Sequence, residues 1–284
     1  MNRLSIQERA NILGCLVEGN SIRATSRLTG ADKKTVLRLL AQFGEACKRL
    51  HDERVRNVKS VRVQCDEIWA FCYAKEKNVP PDCKGVLGFG DVWTWTAFCS
   101  DSKLIISYHT GLRDAVDALH LTDDLRSRLA NRVQLTTDGH KAYLVAVEES
   151  FGSDIDYAML VKLYGAPQGE GNERRYSPSE CTGARKERIT GNPGRKHIST
   201  SHVERMNLNI RMGVRRFTRL TNAFSKKIEN HIHALSIYFA YYNFGRVHQT
   251  LRVTPAMEAG LTDHIWTLEE LAALAEPVEK LVRV

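Results

Sequence analysis

The chain has 284 residues, 43% hydrophobic and 26% charged, with seven cysteines and a net charge of +8. That composition excludes wholesale disorder and fibrous folds, and no apolar run is long enough for a membrane span or a signal-peptide core. The cysteines are scattered, odd in number and never spaced C-x-x-C, which argues against a disulfide framework or structural zinc and fits a reducing cytoplasm. Residues 1–60 carry a local +6 and residues 171–220 a local +8, so the remainder sums to −6. Two basic zones around an acidic middle suggest a polyanion gripped at two places, although either zone alone reads more readily as solvated surface.

In chain order, Ser5-Ile6-Gln7-Glu8 is a capping box that opens a helix with Ile6, Ala10, Leu13 and Val17 at helical spacing. Ser21 caps a second short helix that stops at Thr29-Gly30. Asp32 caps a third, with Val36, Leu39, Leu40 and Phe43 as its apolar stripe. The pattern is helix-turn-helix, with Gly30 supplying the turn. Lys33, Lys34, Arg38 and Gln42 fall off the stripe, where cations and an amide suit phosphate and base-edge contact; a generic three-helix unit is the blander alternative. Residues 1–50 are therefore expected as a DNA-binding domain, and 51–60 as a linker or helical extension.

From Val61 the period becomes two: Val63 and Cys65 alternate with Gln64 and Asp66. Further strands are expected around Val92–Phe98, Leu104–Tyr108, Val133–Thr136 and Ile155–Leu163. Helices are expected over Asp114–Leu129 and Ala142–Phe151. This is an α/β domain, expected over 61–230 with a mixed five-stranded sheet. Asp66 sits inside a strand, where Asp is disfavoured, and Asp138 at the C-terminal end of one, where open α/β sheets place their chemistry. Singly, Asp66 reads as well as a surface residue and Asp138 as a helix cap; Glu67, Asp91 and Asp101 are competing carboxylates.

Residues 165–199 are rich in Gly, Pro, Lys and Arg and are expected as an irregular basic insertion that tracks phosphate, or as a tolerated surface loop. Ser199-Thr200-Ser201 then caps a helix whose stripe runs Val203, Met206, Ile210, Phe217, Leu220, Phe224 and Ile228, with a kink at Gly213. Glu204 flanks the stripe, and Arg211 lies two turns on along the same face. Such a pair can hold a metal and a neighbouring phosphate, or be two solvated charges. His231 and His233 are two apart, a poor spacing for shared ligation on a helix, among residues that look like core. Residues 231–284 are expected as a C-terminal helical extension.

Taken together, Gln64-Cys65-Asp66-Glu67-Ile68-Trp69, Thr136-Thr137-Asp138-Gly139-His140 and His202-Val203-Glu204-Arg205 resemble the three carboxylate segments of a DDE transposase. With Arg215-Arg216-Phe217-Thr218-Arg219-Leu220-Thr221-Asn222, they resemble the family of insertion sequence one. Tyr242-Asn243-Phe244-Gly245-Arg246-Val247-His248-Gln249-Thr250-Leu251 is similar to a tail shared by many integrases and transposases, with Val247 where that pattern usually has Pro. The N-terminal Cys-rich finger common in relatives has no counterpart here, as in a shorter variant or a partial reading frame.

The resemblance implies a ribonuclease H-like fold with the first and fourth strands adjacent and parallel. It makes Asp66, Asp138 and Glu204 the catalytic and metal-binding residues, with two Mg²⁺ or Mn²⁺ ions. It implies DNA contact by Lys33, Lys34, Arg38, Gln42, Arg211, Arg215, Arg216 and Arg219. The expected partners are terminal inverted repeats and target DNA, bound by a homodimer or larger assembly in the bacterial cytoplasm. A catalytically silent helix-turn-helix regulator is the alternative.

Overall fold

The computed structural model describes residues 4–165, 181–218 and 222–275. At its N-terminus the local signals act as their chemistry dictates. The Glu8 amide donates to Ser5 Oγ and the Ser5 amide to the Glu8 carboxylate, opening α1 (Ile6–Val17). Ser21 caps α2 (Ile22–Thr29), and Gly30, at φ 72°, makes a left-handed turn that a side chain would strain. Asp32 caps α3 (Lys33–Arg54), which buries Val36, Leu39, Leu40 and Phe43 and runs on past residue 50.

The sheet begins with three antiparallel strands: β1 (Arg62–Cys72), β2 (Gly90–Cys99) and β3 (Ile105–Gly111). Then come α4 (Ala115–Arg128), capped by Asp114, β4 (Gln134–Asp138), α5 (Ala142–Phe151) and β5 (Asp156–Tyr164). β4 lies parallel to β1, and β5 parallel to β4. The order β3-β2-β1-β4-β5 with these directions is ribonuclease H-like, and the first and fourth strands are neighbours as expected.

The sheet has a sixth strand, which corrects the expected five. β6 (Cys181–Thr190) pairs antiparallel with β5 inside the segment read from sequence as an irregular insertion. None of its residues is buried, so no apolar alternation marked it. The rest of that insertion up to residue 180, from 166, lies outside the described residues.

The single long helix expected after Thr200 is also corrected. α6 (Ser201–Gly213) stops at the glycine, a 3₁₀ turn follows at Arg215–Phe217, and α7 (Ile228–Ala240) starts afresh. At Gly213 a Cβ would lie 2.4 Å from a Tyr238 ring carbon, so the chain end of α6 fits under that ring only without a side chain. α7 continues into a π-helical turn at Tyr241–Gly245, followed by α8 (Pro255–Glu258) and α9 (Leu268–Ala273). Leu220 of the expected stripe lies outside the described residues.

One hydrophobic cluster runs from α1 and α3 through the sheet to α7. α3 and α7 meet closely at Gly44, where a Cβ would fall 2.3 Å from His233 Cβ. The β3 edge is closed by Asn243, whose amide accepts from the Ile105 amide (3.0 Å) and donates to its carbonyl (2.9 Å). No helix among the described residues is long and apolar enough to cross a membrane.

Candidate carboxylate site

Parallel pairing of β1 with β4 sets Cys65 opposite Thr137, so Asp66 and Asp138 follow as the next residues on neighbouring strands. Asp66 lies on the β1 face opposite Cys65. Its Oδ2 accepts from Asn207 Nδ2 of α6 at 2.8 Å and its Oδ1 from the Glu67 amide at 2.9 Å. Asp138 ends β4, and its Oδ1 accepts from the His140 amide at 2.9 Å, steadying the turn into α5. Asp138 does not cap α5, whose N-cap position is Lys141 and has no side-chain cap; its bond to the His140 amide holds only the turn.

The third carboxylate in this group is Glu67, which the sequence weighed only as a competitor. One oxygen each of Asp66, Glu67 and Asp138 lies within 4.8 Å of the others. The Glu67 side chain is 1% exposed and accepts from Arg113 Nε (2.8 Å) and Nη2 (2.6 Å), with Tyr143 Oη at 3.3 Å. The other competitors lie elsewhere: Asp101 pairs with Arg62, and Asp91 sits opposite Phe71 at the far end of β2.

Glu204 is delivered by α6, which two contacts fasten to β1. Gln64 Oε1 accepts from the His202 and Val203 amides (2.9 and 3.0 Å), satisfying the free N–H groups at the helix start. One turn beyond Glu204, Asn207 reaches Asp66. Between these contacts Glu204 pairs with Lys162 Nζ of β5 at 2.6 Å and accepts from Thr200 Oγ1. The structure thus brings Asp66, Glu67 and Asp138 together, while Glu204 is not a member of that group: it is held by Lys162, and its charge is the smallest of the influences that raise Asp66. Asn207, Lys162 and Arg113 were not singled out from sequence, because no spacing links them to the aspartates, and Gln64 was read only as a polar neighbour of Asp66 on its strand.

Crowding has an electrostatic consequence. Burial, then the Glu67 and Asp138 charges, push Asp66 up to about 7. Glu67 is also raised, first by burial and then by Asp138, with Arg113 opposing. Four carboxylates against Lys162 and Arg113 leave two formal negative charges. An all-oxygen donor set with that excess fits a hard divalent cation of the Mg²⁺ or Mn²⁺ type.

The basic residues divide by position. Lys33, Lys34, Arg38 and Gln42 are exposed along α3, and Arg215 is exposed after α6. Arg211 is half-buried in the last turn of α6. Arg216 turns inward: its Nε donates to Ser225 Oγ at 2.6 Å, and burial pulls it down to about 10. Arg219 lies outside the described residues.

No protein-family model matches the sequence, and no curated protein matches it significantly. Among solved structures, the chain is similar to one in the Mos1 strand transfer complex, with 13% identity and a TM-score of 0.24 over 55% of this chain and 59% of that one. It is also similar to one in the Mos1 mariner paired end complex with Mn, with 13% identity and a TM-score of 0.23 over 53% of this chain and 58% of that one. The chain therefore spans under two thirds of the length of either.

Proposed function

We propose that this chain is a DDE transposase of the insertion sequence one family, which cuts DNA at element ends and transfers the freed 3′-hydroxyl to target DNA. The observation that carries the reading is the placement of Asp66 and Asp138 side by side on parallel strands in one carboxylate group; Glu204 stands outside that group, on a helix fastened to β1. Two Mg²⁺ or Mn²⁺ ions held here would supply activation of the attacking oxygen and stabilisation of the leaving one for an in-line displacement at phosphorus.

In this reading Asp66, Asp138 and Glu204 hold the ions. Gln64 fastens the helix to β1, and Asn207 would orient the Asp66 carboxylate toward the ions. Lys162 and Arg113 balance charge at the edge of the site. Arg211 and Arg215 hold backbone phosphate, Arg219 extends that basic surface, and Arg216 supports it from within. α1–α3 act as a helix-turn-helix, with Lys33, Lys34, Arg38 and Gln42 in a major groove. Synapsis of two terminal inverted repeats calls for a homodimer or larger assembly, working on the nucleoid in the bacterial cytoplasm.

The test is incubation with DNA carrying the inverted repeats that flank the gene, with Mg²⁺, comparing wild type with Asp66→Asn. Nicked and joined products from the wild type, and binding without nicking by Asp66→Asn, are expected. Binding without nicking by the wild type favours the silent regulator. Nicking without joined target strands indicates a nuclease.

A further inference from the structure

The opposite end of β1 from its start carries a feature that phosphoryl transfer does not use. Phe71, Tyr73 and Phe224, with Lys75, Lys77 and Lys226, line an open cavity of about 710 Å³. The Phe71 and Phe224 rings lie 4.7 Å apart, and Tyr73 lies 4.9 Å from Phe89. Between these pairs sits the Lys226 ammonium, 4.6 Å from the Phe224 centroid and 5.8 Å from that of Tyr73, donating to the Tyr73 carbonyl at 3.2 Å.

Tyr73 is held at φ 64°, a left-handed conformation that costs a non-glycine residue about 1 kcal/mol or more, and the residue is 39% exposed. A strained backbone that turns an aromatic ring toward solvent does not serve the core. The aromatic surface also continues back toward the carboxylates. Phe71 lies 5.8 Å from Trp69, Trp69 is the cross-strand partner of Trp93, and Trp93 lies under the Arg113 guanidinium that holds Glu67.

We propose that this cavity binds unpaired nucleotides, with a base entering between Tyr73 and Phe224 while Lys226 shifts onto the adjoining phosphate. Aromatic rings offer stacking faces to any base, and the three lysines supply the charge that the backbone needs. Unpaired nucleotides, not duplex, fit because stacked and paired bases present no face to a ring. Binding itself requires no chemistry by the carboxylates; only the idea that the strip guides a DNA end toward them rests on the transposase reading.

The experiment is fluorescence anisotropy with a labelled single-stranded 12-nucleotide DNA and its blunt duplex, in EDTA, using the full chain. Tyr73→Ala and Lys226→Gln are compared with wild type after thermal melting shows them folded. Tyr73→Ala is expected to weaken single-strand binding about 5- to 100-fold without changing its salt dependence. Lys226→Gln, at an exposed position, is expected to weaken it and to reduce the slope of log K against log salt by about 0.7. Duplex affinity is expected to change less than twofold in both. Single-strand binding within twofold of wild type in both variants, or equal losses for single strand and duplex, overturns the proposal. Either result leaves the nicking test of the carboxylate site standing on its own.

Discussion

An aspartate in mid-strand is unfavourable by propensity, and at position 66 the cost has a visible counterpart: burial beside two other carboxylates. Asp66 stood out in the sequence because it breaks the propensity of a strand interior, and Asp138 because it ends a strand where open sheets place their chemistry. Glu67 was less so, since strand alternation sends its Cβ to the opposite face and only Arg113 and Tyr143, distant in sequence, show how it is held there. Buried histidines give a pH prediction at this scale. His231 is fully buried 5.0 Å from Phe217, and burial pulls it down to about 3 from the usual 6.5. As pH falls below 6.5 the unfolded chain takes up a proton at His231 that the folded chain refuses, so this contribution to stability is lost toward acid. Asp66 works in the opposite sense, because its raised value favours the protonated folded form, so the histidine effect is best read as a difference. Relative to wild type, His231→Phe is expected to gain about 1 kcal/mol between pH 6.5 and 5.5, measured by urea unfolding at the two pH values. A gap that stays constant with pH contradicts a neutral buried His231.

Elements with a buried face could be read from sequence, and those without one could not. β1 and β4 announced themselves by alternation or by a short apolar run, and α1–α3 by caps and stripes. β6 presents polar, exposed residues on both faces, so its pairing with β5 leaves no periodic trace. The stripe from Val203 to Ile228 looked continuous in sequence, but Val203, Met206, Ile210 and Phe217 reach the core while Phe224 lines an open cavity, and the break at Gly213 depends on a tyrosine twenty-five residues later. Close approach also explains Gly44. In a helix interior Ala normally gains about 1 kcal/mol over Gly. At Gly44 the new methyl would meet both Cα and Cβ of His233, at 2.6 and 2.3 Å. Gly44→Ala is therefore expected to destabilise by about 1–3 kcal/mol, read from the shift of the thermal midpoint. A neutral or stabilising result contradicts the tight seating of α3 on α7.

Over the whole molecule, charge is sorted: the basic N-terminal helices and the basic segment around 171–220 flank an acidic middle. The sorting was plain in the sequence, but its bearing on the site was not, because the route from α3 to the carboxylates runs through a shared core and not through sequence neighbours. If α3 grips phosphate, salt must weaken binding in proportion to the contacts made. Replacing Lys33, Lys34 and Arg38 with Gln is expected to reduce the slope of log K against log salt for duplex DNA by about 2.7. An unchanged slope removes α3 from the interface.

The account stands on the carboxylates forming one cation pocket. The direct measurement is anomalous diffraction from crystals soaked in Mn²⁺. It is expected to show a peak about 2.1 Å from oxygens of both Asp66 and Asp138, with Glu204 released from Lys162 to join them. Crystals saturated with Mn²⁺ that show no peak between the two aspartates would contradict it.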